Sequence, residues 1–373
     1  MTRNEAVESD TSAAAYSRES ALLSAVVRHP EDVSASLALA SFLSGQDRDR
    51  DAAAVYRQIL EDHPDDGEAL CKLGVLLHLY PAFQEEAVEL LQRAISLDST
   101  LAAAYRPLAS TLDQQGRRSE AVAVLRAWCA AAPLDAVASH LLAAFSAETV
   151  PQRATDAFVQ QTFDLAAERF DQHLRDTLQY RAPEALSAHL GALLPASTQV
   201  SLDILDMGCG TGLCAPLLRP WARTLTGVDL SSGMLAKARE GGLYDGLEAA
   251  ELTAYLAQRN HRQSSFDVLF AADTLVYFGQ LDALFLQAFA ALRPGGWLAF
   301  TVERLSPSDR ESVDARNFIL DTTGRYKHGA HYVKQTLANA GFLAPHLIEA
   351  PVRLESGEPE IGLVVAAMKP ERQ

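Results

Sequence analysis

The residues with most chemical content are Ile204-Leu205-Asp206-Met207 running into Gly208-Cys209-Gly210-Thr211-Gly212-Leu213. An apolar strand that enters closely spaced glycines and then a helix lets bare backbone approach a ligand, with helix-terminal N–H groups facing it. The spacing is G-x-G-x-G, and Leu213 stands where a dinucleotide fingerprint wants its third glycine. Next comes Thr226-Gly227-Val228-Asp229-Leu230-Ser231, whose acid falls 21 residues past Gly208. A carboxylate at the end of the second strand can accept both hydroxyl protons of a ribose.

These residues resemble motif I and the following acidic motif of class I S-adenosylmethionine (SAM) dependent methyltransferases. The likeness continues in order with Ser231-Ser232-Gly233-Met234, with Phe266-Asp267-Val268-Leu269 opening a fourth strand, and with Leu292-Arg293-Pro294-Gly295-Gly296-Trp297 before a fifth. It implies a Rossmann-like fold, SAM as cofactor with S-adenosylhomocysteine as product, and N- or O-methylation. Residue by residue, it implies that Gly208, Gly210 and Gly212 line the methionine portion of SAM, with Asp206 near its amino group. Asp229, followed by Leu230, would hold the ribose. Met234 would lie against adenine, and Glu251 with the Leu252 backbone would address the adenine edge, although Leu247 to Leu252 lacks the usual Asp. Met234 and Leu252 read equally as ordinary core.

Upstream, Phe170-Asp171-Gln172-His173-Leu174 and Leu178-Gln179-Tyr180-Arg181-Ala182-Pro183 are similar to the helical entry of bacterial methyltransferases fused to tetratricopeptide repeats, a family of unassigned substrate. In related small-molecule enzymes an Arg shortly before a Pro pairs with the SAM carboxylate, a task that suits the bidentate guanidinium. Arg181 is that candidate, against a surface ion pair.

Ligands in open α/β sheets lie beyond the carboxyl ends of the strands. That rule puts Ala272, Asp273, Thr274, Tyr277 and Phe278 near the sulfonium. Residues 303–330 then form a long polar excursion ending in Gly324-Arg325-Tyr326-Lys327-His328-Gly329-Ala330-His331-Tyr332. Long loops inside compact domains are often binding elements. Here Arg325 would clamp an acceptor carboxylate, Tyr326 and Tyr332 would stack on the acceptor, and His328 would accept its proton. The plainer reading is a capped loop entering a helix. His328 and His331 lack the acid or cysteine set of a metal site, and Cys209 reads as a small packing residue.

These side chains need elements to hold them. After residue 150, short apolar runs alternate with helical segments, which predicts a parallel sheet with helices on both faces. Strands are expected at 202–207, 224–229, 266–271 and 296–302, with a weak one near Leu247. Helices are expected at 213–219, 232–240, 252–259, 281–292 and 332–340. The apolar runs 343–348 and 361–368 are expected to form a late strand pair.

The first half has a different period. Pro30, Pro64, Ser99 and Pro133 stand 34, 35 and 34 residues apart. Between them small residues recur at Ala40, Gly74 and Ala109, and again at Ala52, Ala87 and Ala121. Small residues let helices approach closely, and proline marks the turn between units. The pattern resembles three tetratricopeptide repeats, with helices at 13–28 and 136–147 closing the ends. The fold class is thus α followed by α/β: a disordered stretch 1–12, repeats over 13–150, a linker 151–163 and the methyltransferase domain 164–373.

Charge and composition bound the partners. Of 373 residues, 48% are hydrophobic and 21% charged, and the formal charge is −16, which disfavours nucleic acid. The N-terminal decapeptide carries acids and no apolar core, and no stretch approaches ~18 uninterrupted apolar residues. A cytoplasmic protein without membrane contact is expected, and four scattered cysteines fit a reducing compartment. Residues 1–150 hold 12 Lys and Arg against 22 Asp and Glu, which favours a basic partner in the repeat groove, with self-association through the repeats as the other expectation. The expected function is methyl transfer to a small-molecule or peptide-like acceptor. Methylation of a protein recruited by the repeats, and a non-catalytic SAM-binding scaffold, remain as alternatives.

Overall fold

The computed structural model describes residues 3–166, 170–171, 174, 178–195, 200–260, 266–306, 317–355 and 357–371. Gln172 and His173 of the expected helical entry, and 307–316 of the polar excursion, lie outside the described residues. The chain divides into two compact units, 1–145 and 146–373.

The first unit is helical: α1 (Arg3–Arg28), α2 (Val33–Ser44), α3 (Asp49–Asp62), α4 (Gly67–Leu77), α5 (Gln84–Leu97), α6 (Ala102–Gln114), α7 (Arg118–Ala131) and α8 (Ala136–Ser146). The first of these begins inside the stretch 1–12 that was expected to lack order. From α1 to α7 each helix packs on the next, and α4 also reaches α6. The sequence period has a simple local cause. In Pro30-Glu31-Asp32, Pro64-Asp65-Asp66 and Pro133-Leu134-Asp135, proline stops one helix and the aspartate starts another. Asp32 accepts from the Ser34 N–H, Asp66 from Ala69 and Asp135 from Val137 and Ala138. Ala40, Ala52, Ala87 and Ala121 are fully buried. Gly74 has no spare room at all, since a Cβ there would lie 2.6 Å from Cγ of Leu91.

Among the described residues the second unit has nine strands: β1 (Leu202–Met207), β2 (Ala222–Asp229), β3 (Gly246–Ala249), β4 (Phe266–Ala271), β5 (Leu292–Arg304), β6 (Phe318–Leu320), β7 (Tyr326–His328), β8 (His346–Glu355) and β9 (Glu358–Met368). Their order is β3-β2-β1-β4-β5-β7-β6, with β9 antiparallel to β5 and β8 antiparallel to β9. Strands β1 to β5 are parallel neighbours. Successive side chains point to opposite faces, and both faces are covered. On one face Leu205, Leu269 and Phe300 pack against α13 (Leu252–Asn260), α14 (Asp282–Ala291) and α15 (Ala330–Ala340). On the other, Ile204, Val268 and Phe270 pack against α10 (Ala182–Gly191) and α11 (Ala215–Leu218). The described residues also form α9 (Asp156–Ala166) and α12 (Ser232–Gly241).

Two expectations need correction. The stretch 151–163 is not a linker. Gln152 O accepts from the Gly279 and Gln280 N–H groups, the Ala154 N–H donates to Tyr277 O, and Ala154 and Phe158 are buried. The described part of the excursion 303–330 is also not a loop, since β6 and β7 pair antiparallel and β7 continues on β5 at Glu303 and Arg304. On β5, β9 holds the far side through Glu303, while β4 pairs no further than Phe300. The hairpin therefore takes the β4 side of β5 where β4 has ended.

Candidate functional site

The β1–β2 end of the sheet carries the glycine turn. The Gly208 and Cys209 N–H groups donate to Val228 O at 2.7 and 3.1 Å, which ties the turn to β2. Its three glycines all have positive φ, at 70°, 53° and 96°, but they do different work. A Cβ on Gly208 would fall 2.3 Å from Cγ2 of Thr274, so this residue admits the chain after β4. A Cβ on Gly212 would meet the Tyr244 ring at 3.1 Å. Among the described residues nothing lies within 4 Å of that position on Gly210, which sets it apart from the other two glycines.

Two carboxylates flank this opening. Asp229 is held by backbone, its Oδ2 accepting from Gly210 N–H at 2.9 Å and its Oδ1 from Ser231 N–H at 2.8 Å. Burial raises its pKa despite these bonds. Asp206 is 1% exposed. Its Oδ2 accepts from the Tyr244 hydroxyl at 2.6 Å, and its Oδ1 has no partner among the described residues. Burial pushes this carboxyl up to about 7, the Tyr244 hydroxyl opposing and Asp229 adding to the shift. A buried oxygen without a donor is costly unless a ligand supplies one. Cys209 is buried, and burial raises its thiol well above the ordinary range, so it packs and carries no thiolate.

The other residues named for a cofactor fall into different places. Met234 is 1% exposed inside the α12 contact, its N–H bonded to Ser231 Oγ at 3.1 Å, and Leu252 is buried in the core. Glu251 spends both carboxylate oxygens on the start of α13, accepting from Thr253 and Ala254 N–H groups at 3.1 and 2.8 Å. These side chains start and fill helices, and the adenine roles of Met234 and Glu251 stay expectations of the resemblance. Leu230 offers its carbonyl to Gln160 Nε2 at 3.3 Å. Arg181 is exposed, and its guanidinium has no hydrogen bond or ion pair among the described residues.

Sequence reasoning missed several residues here. Asp164 on α9 accepts from Ser231 Oγ at 2.5 Å and from Gly233 N–H at 3.2 Å. Asp171 accepts from Thr211 Oγ1 at 2.5 Å. Both reach the glycine turn and the β2 end from far upstream, and no local spacing announces that. Tyr244 was missed for the same reason.

At the ends of β4 and β5 lies a network of charges. Asp273 has φ of 55° and is fixed by its N–H to Thr301 Oγ1 at 2.8 Å and by two bonds from Arg353 Nη1, at 2.9 and 3.0 Å. Arg353 also donates to Glu303 through Nη2 and to Glu355 through Nε at 3.2 Å. Arg325 pairs with Glu355 at 2.8 Å and lies 3.7 Å from Glu303. Arg353 and Glu303 are each 1% exposed, whereas Arg325 keeps 20% of its side chain open. Burial pushes Glu303 up to about 7, against the pull of both guanidinium groups.

The acceptor roles of Tyr326 and His328 are corrected by this geometry. Both side chains of β7 turn inward under strand alternation and are fully buried. The Tyr326 hydroxyl donates to Pro151 O at 3.0 Å, and His328 Nε2 lies 3.1 Å from Gly279 O with its ring stacked on Tyr332. Burial lowers the His328 pKa to about 4. A neutral ring closed off from solvent is no base for an incoming acceptor. Tyr332 likewise accepts from Leu281 N–H at 3.0 Å and stays in the core. Among the described residues no group of three or more His, Cys, Asp or Glu is placed to hold a metal ion. No described helix is long and apolar enough to cross a membrane.

Comparison with known proteins agrees with the glycine turn. Residues 204–296 match the family model described as a methyltransferase domain. The chain is 34% identical over 160 residues to methyltransferase-like protein 27 of Homo sapiens, covering 43% of this chain and 63% of that one. It is 33% identical over 144 residues to the malonyl-[acyl-carrier protein] O-methyltransferase of Enterobacter lignolyticus, covering 38% and 52%. With the trans-aconitate 2-methyltransferase of Paracidovorax citrulli it shares 37% over 112 residues, covering 29% and 42%. The chain thus spans between 42% and 63% of the length of these relatives.

Proposed function

We propose that this chain is a SAM-dependent methyltransferase acting on a small acceptor that bears a carboxylate, with a tetratricopeptide-type solenoid as its first unit. The observation that carries the reading is the pairing of open backbone at Gly210 with the unpartnered, buried Oδ1 of Asp206. That oxygen suits an ammonium group, and Asp229, already fixed by two N–H groups, keeps lone pairs for ribose hydroxyls. The residues present therefore fit the cofactor. When bound, SAM supplies a methyl group on a sulfonium that leaves as a neutral thioether.

The protein's part is binding, alignment and exclusion of water, and alignment alone is worth up to ~7 to 11 kcal/mol. A carboxylate acceptor needs no strong base, which agrees with a buried, neutral His328. Arg325 is the partly open guanidinium of the charge network, and its counterion Glu355 lies at the rim with 35% of its side chain exposed. An acceptor carboxylate taking the place of Glu355 would gain a bidentate, charge-assisted contact. The two bacterial relatives are named for a malonyl thioester and for trans-aconitate, both carboxylates. For the first unit, the close approach of Gly74 to Leu91 and the repeated proline–aspartate step support the repeat reading.

Calorimetric titration with S-adenosylhomocysteine tests the core of this. Asp229→Ala should weaken binding by roughly 1.5 to 3 kcal/mol, the range for hydrogen bonds to a charged group. Unchanged affinity in a folded variant removes the ribose assignment. Methyl transfer from SAM to a panel of mono-, di- and tricarboxylates tests the acceptor class, and Arg325→Ala should lower turnover while leaving S-adenosylhomocysteine affinity within about tenfold.

A further inference from the structure

We propose that Tyr244 is a positioning residue for the cofactor: its hydroxyl holds one oxygen of Asp206 so that the other stays aimed at the ammonium group of the methionine end. The inference rests on the proposed reading of Asp206 as the ammonium receptor. Tyr244 follows α12 and precedes β3, in a turn fastened to β2 by its neighbour Asp245. The Asp245 N–H donates to Leu225 O at 2.8 Å, and its carboxylate accepts from Leu225 N–H and Arg219 Nη1, both at 2.7 Å. The ring of Tyr244 is in turn wedged beneath the glycine turn, 3.1 Å from where a Cβ of Gly212 would stand and 3.0 Å from one on Gly227. Its hydroxyl therefore has little freedom, and it spends itself on Oδ2 of Asp206 at 2.6 Å. A carboxylate so held resists rotation that would exchange its oxygens, and Oδ1 is left buried without a donor among the described residues.

The surroundings make this one bond matter. Among the described residues the titratable groups around Asp206 are Tyr244, Asp229, Cys209, Cys214 and Tyr180, none of them a cation at neutral pH. No Lys, Arg or His pairs with Asp206 among the described residues, so the Tyr244 hydroxyl is what holds it toward the charged form. Without that hydroxyl the carboxyl should take up a proton at a higher pH, and a neutral carboxyl attracts an ammonium less.

The test uses the full chain, S-adenosylhomocysteine, and 5′-methylthioadenosine, which keeps the adenosyl thioether but has no amino-acid end. Tyr244→Phe retains the ring and removes only the hydroxyl. In the wild type, S-adenosylhomocysteine affinity should fall as pH is lowered from 8 to 6, while 5′-methylthioadenosine affinity stays flat. In Tyr244→Phe the fall should begin about one pH unit higher, leaving S-adenosylhomocysteine about fivefold to tenfold weaker at pH 7 and 5′-methylthioadenosine within twofold. In an Asp206→Asn background, Tyr244→Phe should change S-adenosylhomocysteine affinity no further. Equal losses for both ligands, or a pH profile that overlays the wild type, overturn the proposal and leave the parent reading standing. Failure of the wild type to bind S-adenosylhomocysteine at any pH overturns both.

Discussion

A carboxylate buried beside another acid and paired with no cation works against the fold, and among the described residues Asp206 is such a group. Its carboxyl is raised from the ordinary 3.8 to about 7. The folded chain then keeps a proton that the unfolded chain releases between those values, so stability linked to this group is complete below the unfolded pKa and is lost as pH rises through 7. Asp206→Asn should therefore melt later than the wild type at pH 8 in the absence of ligand, by on the order of a few kcal/mol, and show little advantage at pH 4. Scanning calorimetry at the two pH values decides it, and equal melting at pH 8 counts against the assignment. Asp206, Gly210 and Asp229 were legible in the sequence because a glycine turn and the acid after the next strand are local patterns. Tyr244, Asp164 and Asp171 were not, because their contacts exist only once distant segments meet at the end of the sheet. The Arg353–Glu303 pair joins residues fifty positions apart on separate strands, and nothing near either residue marks it.

The elements most at odds with expectation are β6 and β7. Strands of only three residues, Phe318-Ile319-Leu320 and Tyr326-Lys327-His328, give too short an alternation to see, and their burial comes from standing where β4 stops and from Gly279, whose bare backbone lies against Phe318 and Tyr326. The hairpin thus buttresses the segment after β4. His328 should leave a signature of this. Its pKa falls from 6.5 to about 4, so the unfolded chain binds the extra proton in that window and stability drops as pH is lowered through it. The wild type should lose more melting temperature between pH 7 and pH 5 than His328→Gln does. Parallel losses would place the ring in contact with solvent. By contrast, the strands from β1 to β5 and the helices of the first unit were readable, since apolar runs bounded by turns and a repeated proline–aspartate step are both written in neighbouring residues.

At the scale of the whole molecule the division falls between Phe145 and Ser146, well before residue 164, where the second domain was expected to begin. Residues 151–158 complete the second unit by bonding to the segment after β4. A fragment of 146–373 should accordingly fold and bind S-adenosylhomocysteine within about tenfold of the full chain. One starting at 164 should lose cooperative unfolding in urea. If the longer fragment binds the cofactor product normally yet has lost nearly all acceptor affinity, substrate choice belongs to the first unit, which would then supply effective concentration and not chemistry. Gly210 offers a further means of separation. A Cβ there strikes no atom of the described residues, and its φ of 53° costs an alanine only about 1 to 2 kcal/mol. Gly210→Ala should be a silent allele for folding and a null allele for occupancy. Expressed in place of the wild type, it would divide the phenotypes that need this protein's presence from those that need its cofactor.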